Sequence, residues 1–496
     1  MGEQNSYGSA QGINTINPSS YELEVLTIVN NEGDGFDIRE TFVGLNLYES
    51  ITSNFLLGDL SVADATAFLD TAKLFGQESL RLRFRQNDVG GNTTTEDQDT
   101  IDQLFRIYKI DNIQRSGDDI QSVRIHFCSP ELITSRRKKI SQALRGSLSD
   151  IATKIAVEHL GIVYEQVDHK LQPFFEAREQ SQGANYHVVI PNWSVNHTIN
   201  WLCKQAQGDD STSGIQDSFF FYQTAVGGYR LQSMKTMMGQ KYGGGRPLEY
   251  AAATMNDGRD KNFDSTTGIY GQGRKILNYN VTQHADVFSG IINGLWGSKQ
   301  TTINNTYKFY TEKTYSFLEK HFGGSKDSID EHPFVRTLPE TMYAGDAVDE
   351  KGEVTKHLIS TSKPISSYPD SFCMLTSDSS FVNDDKNNIH QADHKTHLGS
   401  SQFRNATKQL LEYHTLNAVL SARTDISVGQ LINLDIPLPD PGQENVDPVF
   451  YNGDHLITEI RWSLTKTECK TNIKCIKDSL LNNMETTIIN YGEVEE

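Results

Sequence analysis

Residues 79–86 read SLRLRFRQ, and this short run decides the class of fold. Leu80, Leu82 and Phe84 alternate with arginines, and successive side chains of a β-strand point to opposite faces of its sheet. A period of two therefore predicts a strand with one buried and one solvent-facing side. Runs of the same kind recur along most of the chain, so we expect a mainly β protein.

The first part of the chain repeats this alternation. The run SYELEVLTIVN places Tyr21, Leu23 and Val25 on one face. Several short strands separated by polar loops are typical of a small antiparallel barrel or sandwich. We predict that residues 21–130 form a first β-barrel, preceded by a flexible polar tail at residues 1–20.

The pattern then changes to mixed α/β, and we assign residues 131–212 to an α/β linker. In GSLSDIATKIAVEHLG, Ser147 followed three residues later by Asp150 is typical of a helix start, and Gly161 is a natural stop. A second helix is predicted in PNWSVNHTINWLCKQAQG, with Ser194 as its N-cap and a stripe of apolar residues behind it.

Strands resume after the linker. Paired glycines at residues 227–228 separate two aromatic-rich runs and predict a hairpin. We assign residues 213–300 and 401–480 to a second antiparallel β-barrel. Residues 301–400 are polar and irregular and form a long insertion into it, and residues 481–496 form a C-terminal tail. The predicted architecture is thus two antiparallel β-barrels joined by an α/β segment, with the second barrel carrying the insertion.

Composition excludes several classes of function. The formal net charge of −19 disfavours stable binding to nucleic acid or to anionic membranes. No apolar run is long enough to span a bilayer, and the N-terminus lacks the features of a secretory signal. Five scattered cysteines without a CxxC pair predict reduced thiols in a protein made in a cytoplasm.

The run HQADHKTH contains the only spacing that suggests a metal ion. His390, His394 and His397 would share one face of a helix, which makes them candidate zinc ligands. The surrounding residues are rich in Asn, Asp and Ser and lack an apolar stripe, so a helix is disfavoured. We favour a solvated loop or a partner contact, and we expect neither a metal nor a cofactor.

The sequence carries no signature of an enzyme: there is no nucleophile elbow and no phosphate-binding loop. We therefore expect a protein without catalytic activity. One dense basic run stands out in this acidic chain, at Arg136, Arg137, Lys138 and Lys139. It is either a solvated linker or an interface that clamps an acidic neighbour.

Three C-terminal motifs carry a family resemblance. SVGQLINLDIP, GDHLITEIRW and TNIKCIKDSL resemble the last barrel of the baseplate hub proteins of contractile-tailed phages, and of the hub part of the type VI secretion spike protein. The two predicted helices and the run YESITSNFLLGDLSVADA are also similar to that family. The resemblance covers residues from about 21 to 480, and no motif of the 301–400 insertion contributes to it.

The resemblance implies a structural role. Such hubs are homotrimers, in which two tube-like barrels per chain present a pseudo-sixfold ring. The ring joins the hexameric tail tube to a trimeric central spike and lines the DNA channel. The implied partners are the tube protein, a spike on a separate chain, the tape-measure protein and other baseplate proteins, with DNA only in transit and no membrane anchoring. The implied location is the virion tail baseplate, after assembly in the host cytoplasm.

Two other classes of function are compatible with the sequence. One is an enzyme of the tail tip, either a cell-wall hydrolase or a zinc enzyme built on the insertion. The other is a receptor- or carbohydrate-binding tail protein. If the chain does line a channel, its net acidity predicts an acidic lining, because such a surface lets a polyanion pass without binding.

Overall fold

The computed structural model describes part of the chain. It comprises residues 19–65, 68–86, 100–116, 120–166, 171–181, 186–206, 208, 218–240, 248–250, 275–283, 286–304, 308–316, 369–377, 381–383, 389–391, 402, 404–406, 408–409, 412, 414–436 and 451–477. The prediction of a mainly β protein is confirmed, because strands far outnumber helices in these ranges.

The strands are β1 (Tyr21–Val29), β2 (Gly35–Asp37), β3 (Phe42–Ser50), β4 (Leu57–Asp64), β5 (Ser79–Gln86), β6 (Thr100–Ser116), β7 (Ile120–Cys128), β8 (Lys139–Gly146), β9 (Phe175–Arg178), β10 (Tyr186–Ser194), β11 (Phe219–Gln223), β12 (Tyr229–Ser233), β13 (Leu248–Tyr250), β14 (Lys275–Gln283), β15 (Gly297–Asn304), β16 (Phe309–Ser316), β17 (Cys373–Ser377), β18 (Phe381–Asn383), β19 (Ile389–Gln391), β20 (His414–Leu420), β21 (Leu431–Asp435), β22 (Gly453–Thr465) and β23 (Cys469–Lys477). The helices are α1 (Phe68–Ala72), α2 (Pro130–Arg137), α3 (Leu148–Ile155), which continues as a π-turn over Ala156–Leu160, α4 (Val195–Gln205), α5 (Met234–Met238) and α6 (Val287–Ile292); Pro369–Ser371 form a 3-10 turn.

Strands β1–β7 make a first β unit in two layers. One layer has the order β2-β1-β5-β6 and the other the order β6-β7-β4-β3. The long strand β6 belongs to both layers, because its first half pairs with β5 and its second half with β7. Over the described residues these ladders form an open series and do not close into the ring that the sequence predicted.

The alternation of residues 79–86 is confirmed, since Leu80, Leu82 and Phe84 are fully buried. In β1 the residues predicted to share one face do so only at the start of the strand. A bulge between Leu23 and Val25 shifts the register against β5. Because a shift of one residue turns every following side chain to the other face, the buried residues of β1 are Leu26 and Ile28.

The second β unit, made of β13, β14 and β20–β23, closes on itself. Its ladders run β22-β21-β13-β14-β20-β23 and return to β22 through the β22–β23 pair. The unit is not fully antiparallel as predicted, because the short strand β13 runs parallel to both of its neighbours. Strand β22 also pairs with β3 over Glu459–Thr465, so the two β units share one continuous sheet.

The α/β unit consists of α2–α4 and β8–β12, and its predicted helix signals are confirmed. The Ser147 side chain accepts a hydrogen bond from the backbone N–H of Asp150, and Ser194 caps α4 in the same way. The first helix ends at Gly161 in the left-handed conformation, with φ of 78°. The apolar sides of α3 and α4 lie in one core, separate from that of the β units.

The predicted hairpin is present as β11 and β12, but its packing differs from the domain prediction, which places it in the second barrel. It instead forms a three-stranded sheet with β9 of the α/β unit. The aromatic run at residues 219–222 is buried on both faces of the strand, so alternation alone does not reveal which unit it joins.

The start of the predicted insertion also differs from the expected boundary at residue 300. Strand β15 spans residues 297–304 and pairs with β16 and β17 in a three-stranded sheet. The buried face of this sheet is polar at Ser298, Gln300 and Thr302, and the Gln402 side chain donates to the Ser298 carbonyl oxygen at 3.0 Å. Residues on both sides of the predicted boundary therefore belong to one sheet.

No helix in the described ranges has the length and apolar character needed to cross a bilayer. In the structure Cys128, Cys203, Cys373, Cys469 and Cys475 are all free. All except Cys373 are buried.

Candidate functional site: the junction of the three units

The hairpin β11–β12 lies where the three units meet, and we call it, with its loop at residues 224–228, the central hairpin. Phe219, Phe221 and Tyr229 extend into the core of the α/β unit, whereas Tyr222 and Ala225 lie in the core shared by the two β units. Because successive side chains alternate, one hairpin supplies apolar contacts to both cores.

The first β unit holds the backbone of Ala225 from two sides. The carboxylate of Glu49, on β3, accepts a hydrogen bond from the Ala225 N–H at 2.8 Å. The amide of Gln103, on β6, donates to the Ala225 carbonyl oxygen at 2.9 Å. The second oxygen of Glu49 accepts from the Val428 N–H of the second β unit, also at 2.8 Å. One buried side chain thus joins all three units.

Gln223 forms a second polar centre of the junction. Its side-chain oxygen accepts from the Ser129 hydroxyl at 2.6 Å and from the Leu56 N–H at 3.3 Å. The phenol of Tyr229 lies 3.2 Å from the same oxygen and 3.1 Å from the carboxylate of Glu131 on α2. The Gln223 amide therefore connects strand β11 to the ends of β4 and β7 in the first β unit.

The charges at the junction are unevenly compensated. Burial acts to raise the pKa of Glu176, but the hydrogen bond and charge of Arg230 outweigh it and hold that pKa below its ordinary range. Their closest contacts are 2.5 and 2.9 Å. Burial raises the pKa of Glu49 to about 7, because the two backbone N–H donors offset only part of the cost of desolvation. It also raises the pKa of Glu131.

A polar network connects the two β units on the solvent-facing side of their shared sheet. The side-chain oxygen of Asn46 accepts from Ser463 at 2.6 Å and from the guanidinium of Arg461 at 3.0 Å. Its amide nitrogen donates to Asp59 at 2.9 Å, and Asp59 accepts from Arg124 at 2.9 Å. The network crosses β7, β4, β3 and β22 and so bridges the β3–β22 seam.

The histidine run is only partly within the described residues. His390 lies in the short strand β19 opposite Val382 of β18, so the local structure there is a two-stranded sheet and not a helix. His394 and His397 lie outside the described residues. Over the described ranges, no group of three or more His, Cys, Asp or Glu side chains is placed to hold a metal ion.

The four residues of the basic run are all exposed. Arg136 and Arg137 form the last turn of α2, Lys138 is its C-cap, and Lys139 begins β8. The Lys138 amine donates to the carbonyl oxygen of His159 at 2.7 Å. The backbone N–H of Asn196, at the start of α4, donates to Ser135 beside the run, so the run adjoins the N-terminus of α4.

The junction residues were not predicted from the sequence, although one signal of them is visible there. In the run FVGLNLYES, Glu49 occupies the same phase of the alternation as Leu45 and Leu47, which are buried. A carboxylate on the buried side of a strand requires hydrogen-bond donors from elsewhere. Nothing in the run indicates which donors these are.

No protein-family model and no curated protein sequence matches the chain. Among solved structures, a tail protein from Neisseria meningitidis is 10% identical, with 92% of this chain and 97% of that chain covered and a TM-score of 0.45. The 43 kDa tail protein of prophage MuSo2 from Shewanella oneidensis is 9% identical, with 92% and 98% covered and a TM-score of 0.45. A type VI secretion component from E. coli is 9% identical, with 92% and 76% covered and a TM-score of 0.38. The first two are described as tail proteins and the third as a component of the type VI secretion system.

Proposed function

We propose that the chain is the structural hub of a phage tail baseplate, a homotrimer that joins the sixfold tail tube to a threefold spike around a DNA channel. The observation that carries this proposal is the sheet shared by the two β units. Through the β3–β22 seam, eight strands run in the order β6-β7-β4-β3-β22-β23-β20-β14. A threefold protein can present sixfold symmetry when each chain contributes two tube-like halves, and here the two β units lie in one sheet.

One face of this sheet is suited to line an aqueous channel. Directly paired residues share a face, and on this face the pairs are polar from β7 to β14. Examples are His126 opposite Asp59, Asn46 opposite Ser463, and Asn417 opposite Asn280. The opposite face contributes the buried residues of the core shared by the β units.

The two ends of the sheet are suited to join neighbouring copies. Among the described residues, no strand pairs with the outer edge of β6 after Ile107 or with that of β14 after Ile276. An open edge presents backbone donors and acceptors to another chain. We infer that β6 of one copy pairs with β14 of the next, so that three copies close into one barrel.

If this face lines the channel, the expectation of an acidic lining fails. The basic side chains of the face are Lys109, Arg124, Arg461, Lys470 and Lys474, and the acidic ones are Asp59, Asp111 and Glu459. Most of these cations are neutralised by carboxylates, as in the Arg124–Asp59 and Lys474–Glu459 pairs. DNA would then pass a surface whose basic side chains are mostly paired with carboxylates. Most of the acidic residues of the chain would lie on other surfaces.

We expect the purified protein to sediment as a trimer at micromolar concentrations, and the substitution Ile113→Asp to convert it to a monomer. Ile113 is 55% exposed at the open part of β6, where a new charge would oppose strand pairing. Val43→Asp is the matched control, since Val43 is 53% exposed but lies on β3, inside the sheet. A wild-type monomer would refute the trimer, whereas a trimeric Ile113→Asp variant would refute only the edge contact.

We further propose that the basic run contacts an acidic neighbour in the assembly. In the first β unit, several arginines at the surface are paired with carboxylates, as in Arg39–Asp37 and Arg124–Asp59. Arg136, Arg137 and Lys139 form no ion pair within the described part of the chain. Unpaired cations in a chain of net charge −19 are the surface best suited to an acidic protein.

Charge reversal tests this contact. We expect Arg136→Glu, Arg137→Glu and Lys139→Glu together to weaken co-purification with the cognate spike and tube proteins by about tenfold or more, and increasingly so at low salt. Lys154→Glu with Lys204→Glu, two exposed lysines of the same unit, is the control and should bind normally. Equal binding by both variants would assign the run to solvent.

The absence of catalysis stays part of this proposal. The junction consists of hydrogen bonds among buried groups, which supports a structural role. A zymogram on purified peptidoglycan separates the hub from the hydrolase alternative, because lysis by the isolated protein would require an active site. Binding to host-cell glycans in a pull-down would favour the receptor-binding alternative.

A further inference from the structure

Glu49 is unusual among the buried carboxylates because its two hydrogen bonds reach two different units. Its own strand, β3, belongs to the first β unit. One oxygen accepts from Ala225 in the loop of the central hairpin, and the other accepts from Val428 in the loop before β21. The side chain is 2% exposed, so water cannot replace either donor without movement of a loop.

The charged groups near Glu49 leave its carboxylate without an ion-pair partner in the described part of the structure. The cation that faces it is Arg230 on β12, and this guanidinium is bound to Glu176 on β9. The Tyr222 phenol, on β11, also faces Glu49, and it donates to Gln232 at 3.0 Å. The charge on Glu49 is therefore stabilised mainly by two backbone dipoles.

We propose that Glu49 is a proton-sensitive latch, which sets how readily the central hairpin and the loop at residues 426–430 separate from the first β unit. In the closed junction the carboxylate is dry and lacks a cation. When either loop moves away, water reaches Glu49 and stabilises its charge. Opening therefore releases a proton over the pH range in which the closed form is protonated and the open form is not. This inference stands independently of the trimeric hub.

The direction of the pH effect follows from linkage. In the closed junction the pKa of Glu49 is raised by burial to about 7, whereas its ordinary value is 4.5. A raised carboxyl pKa means that closure is favoured below about pH 4.5 and that this advantage is lost as the pH rises through about 7. Between pH 6 and pH 8 the fraction of open junction should increase about tenfold.

Amide hydrogen exchange measures this opening. We expect the protection factors of the amides of Ala225 and Val428, corrected for intrinsic exchange rates, to fall about tenfold from pH 6 to pH 8 in the wild-type protein. In Glu49→Gln, which cannot ionise, the change should be less than about twofold, whatever the absolute level of protection. Peptide-resolved mass spectrometry over residues 219–233 and 426–432 gives both values.

Glu78→Gln is the matched control. Glu78 is also a buried carboxylate, 1% exposed, but it accepts from the backbone N–H groups of Phe75, Gly76 and Gln77 within its own turn. This variant should keep the wild-type pH dependence at residues 225 and 428. Glu131 contacts Tyr229 of the same hairpin and neither of these amides, so the loss of slope in Glu49→Gln separates the contribution of Glu49 from that of Glu131. A flat wild-type profile, or an unchanged slope in Glu49→Gln, would overturn the latch.

Discussion

Replacing Trp462 by alanine should reduce the free energy of unfolding by about 4 kcal/mol, the largest effect that we expect from a single substitution in the seam. Trp462 is fully buried on β22, opposite Leu47 of the first β unit on one side and Thr471 of β23 on the other. Its indole N–H donates to the Arg423 carbonyl oxygen at 2.7 Å. The substitution therefore leaves a cavity where the two β units meet, and it removes a hydrogen bond.

Urea unfolding followed by far-ultraviolet circular dichroism measures this loss. Trp462→Phe is the control for the cavity, because it keeps most of the apolar volume and removes the indole N–H. Its cost should be about 1–2 kcal/mol, since the Arg423 carbonyl still accepts from the Thr471 hydroxyl at 3.3 Å. If Trp462→Ala costs less than about 1 kcal/mol, the seam does not depend on this side chain.

Gly429→Ala should cost roughly 3 kcal/mol, because two effects act at one position. Gly429 has φ of 78°, which disfavours any residue with a Cβ atom. A Cβ at Gly429 would also lie 2.2 Å from the Tyr222 hydroxyl of the central hairpin. The substitution would strain the contact between the second β unit and the hairpin, and thermal unfolding of the purified variant would show it.

Two further variants separate strain from collision. Gly33 has φ of 95°, and a Cβ added there would meet open space, so Gly33→Ala should cost only the backbone strain, about 1 kcal/mol. Tyr222→Phe removes the colliding hydroxyl, so the double variant Gly429→Ala with Tyr222→Phe should lose less stability than the sum of its single variants. If the stability losses of the two single variants add strictly, the collision is relieved by a movement that does not involve the Tyr222 hydroxyl.

Local patterns predicted much of the secondary structure. The alternation at residues 79–86 identified a buried face correctly, and serine N-caps placed the starts of α3 and α4 at Ser147 and Ser194. These signals depend on neighbours within a few residues. The bulge after Leu23 does not have such a signal, because an extra residue in a strand is set by its partner β5 and not by its own sequence.

The contacts of the junction could not be predicted from local sequence patterns for a similar reason. Glu49 is separated from Ala225 by 176 residues and from Val428 by 379, so no spacing rule connects them. The central hairpin was recognised but was assigned to the wrong neighbour, since its aromatic residues are buried on both faces. The basic run was identified by composition, yet only the structure shows that its side chains are exposed beside the start of α4.

The β3–β22 pair has a consequence for the order in which the chain is made. Asn46 meets Arg461 across 415 residues, and Ser19 meets Cys469 in the same region. A ribosome adds about 5–20 residues each second, so β3 waits on the order of 20–80 s for its partner strand. During that time its hydrogen-bonding edge is uncovered, and this is when newly made chains can pair wrongly with each other. Slower or crowded synthesis should therefore divert the protein into aggregates before its last strands emerge, even though the finished fold keeps that edge covered.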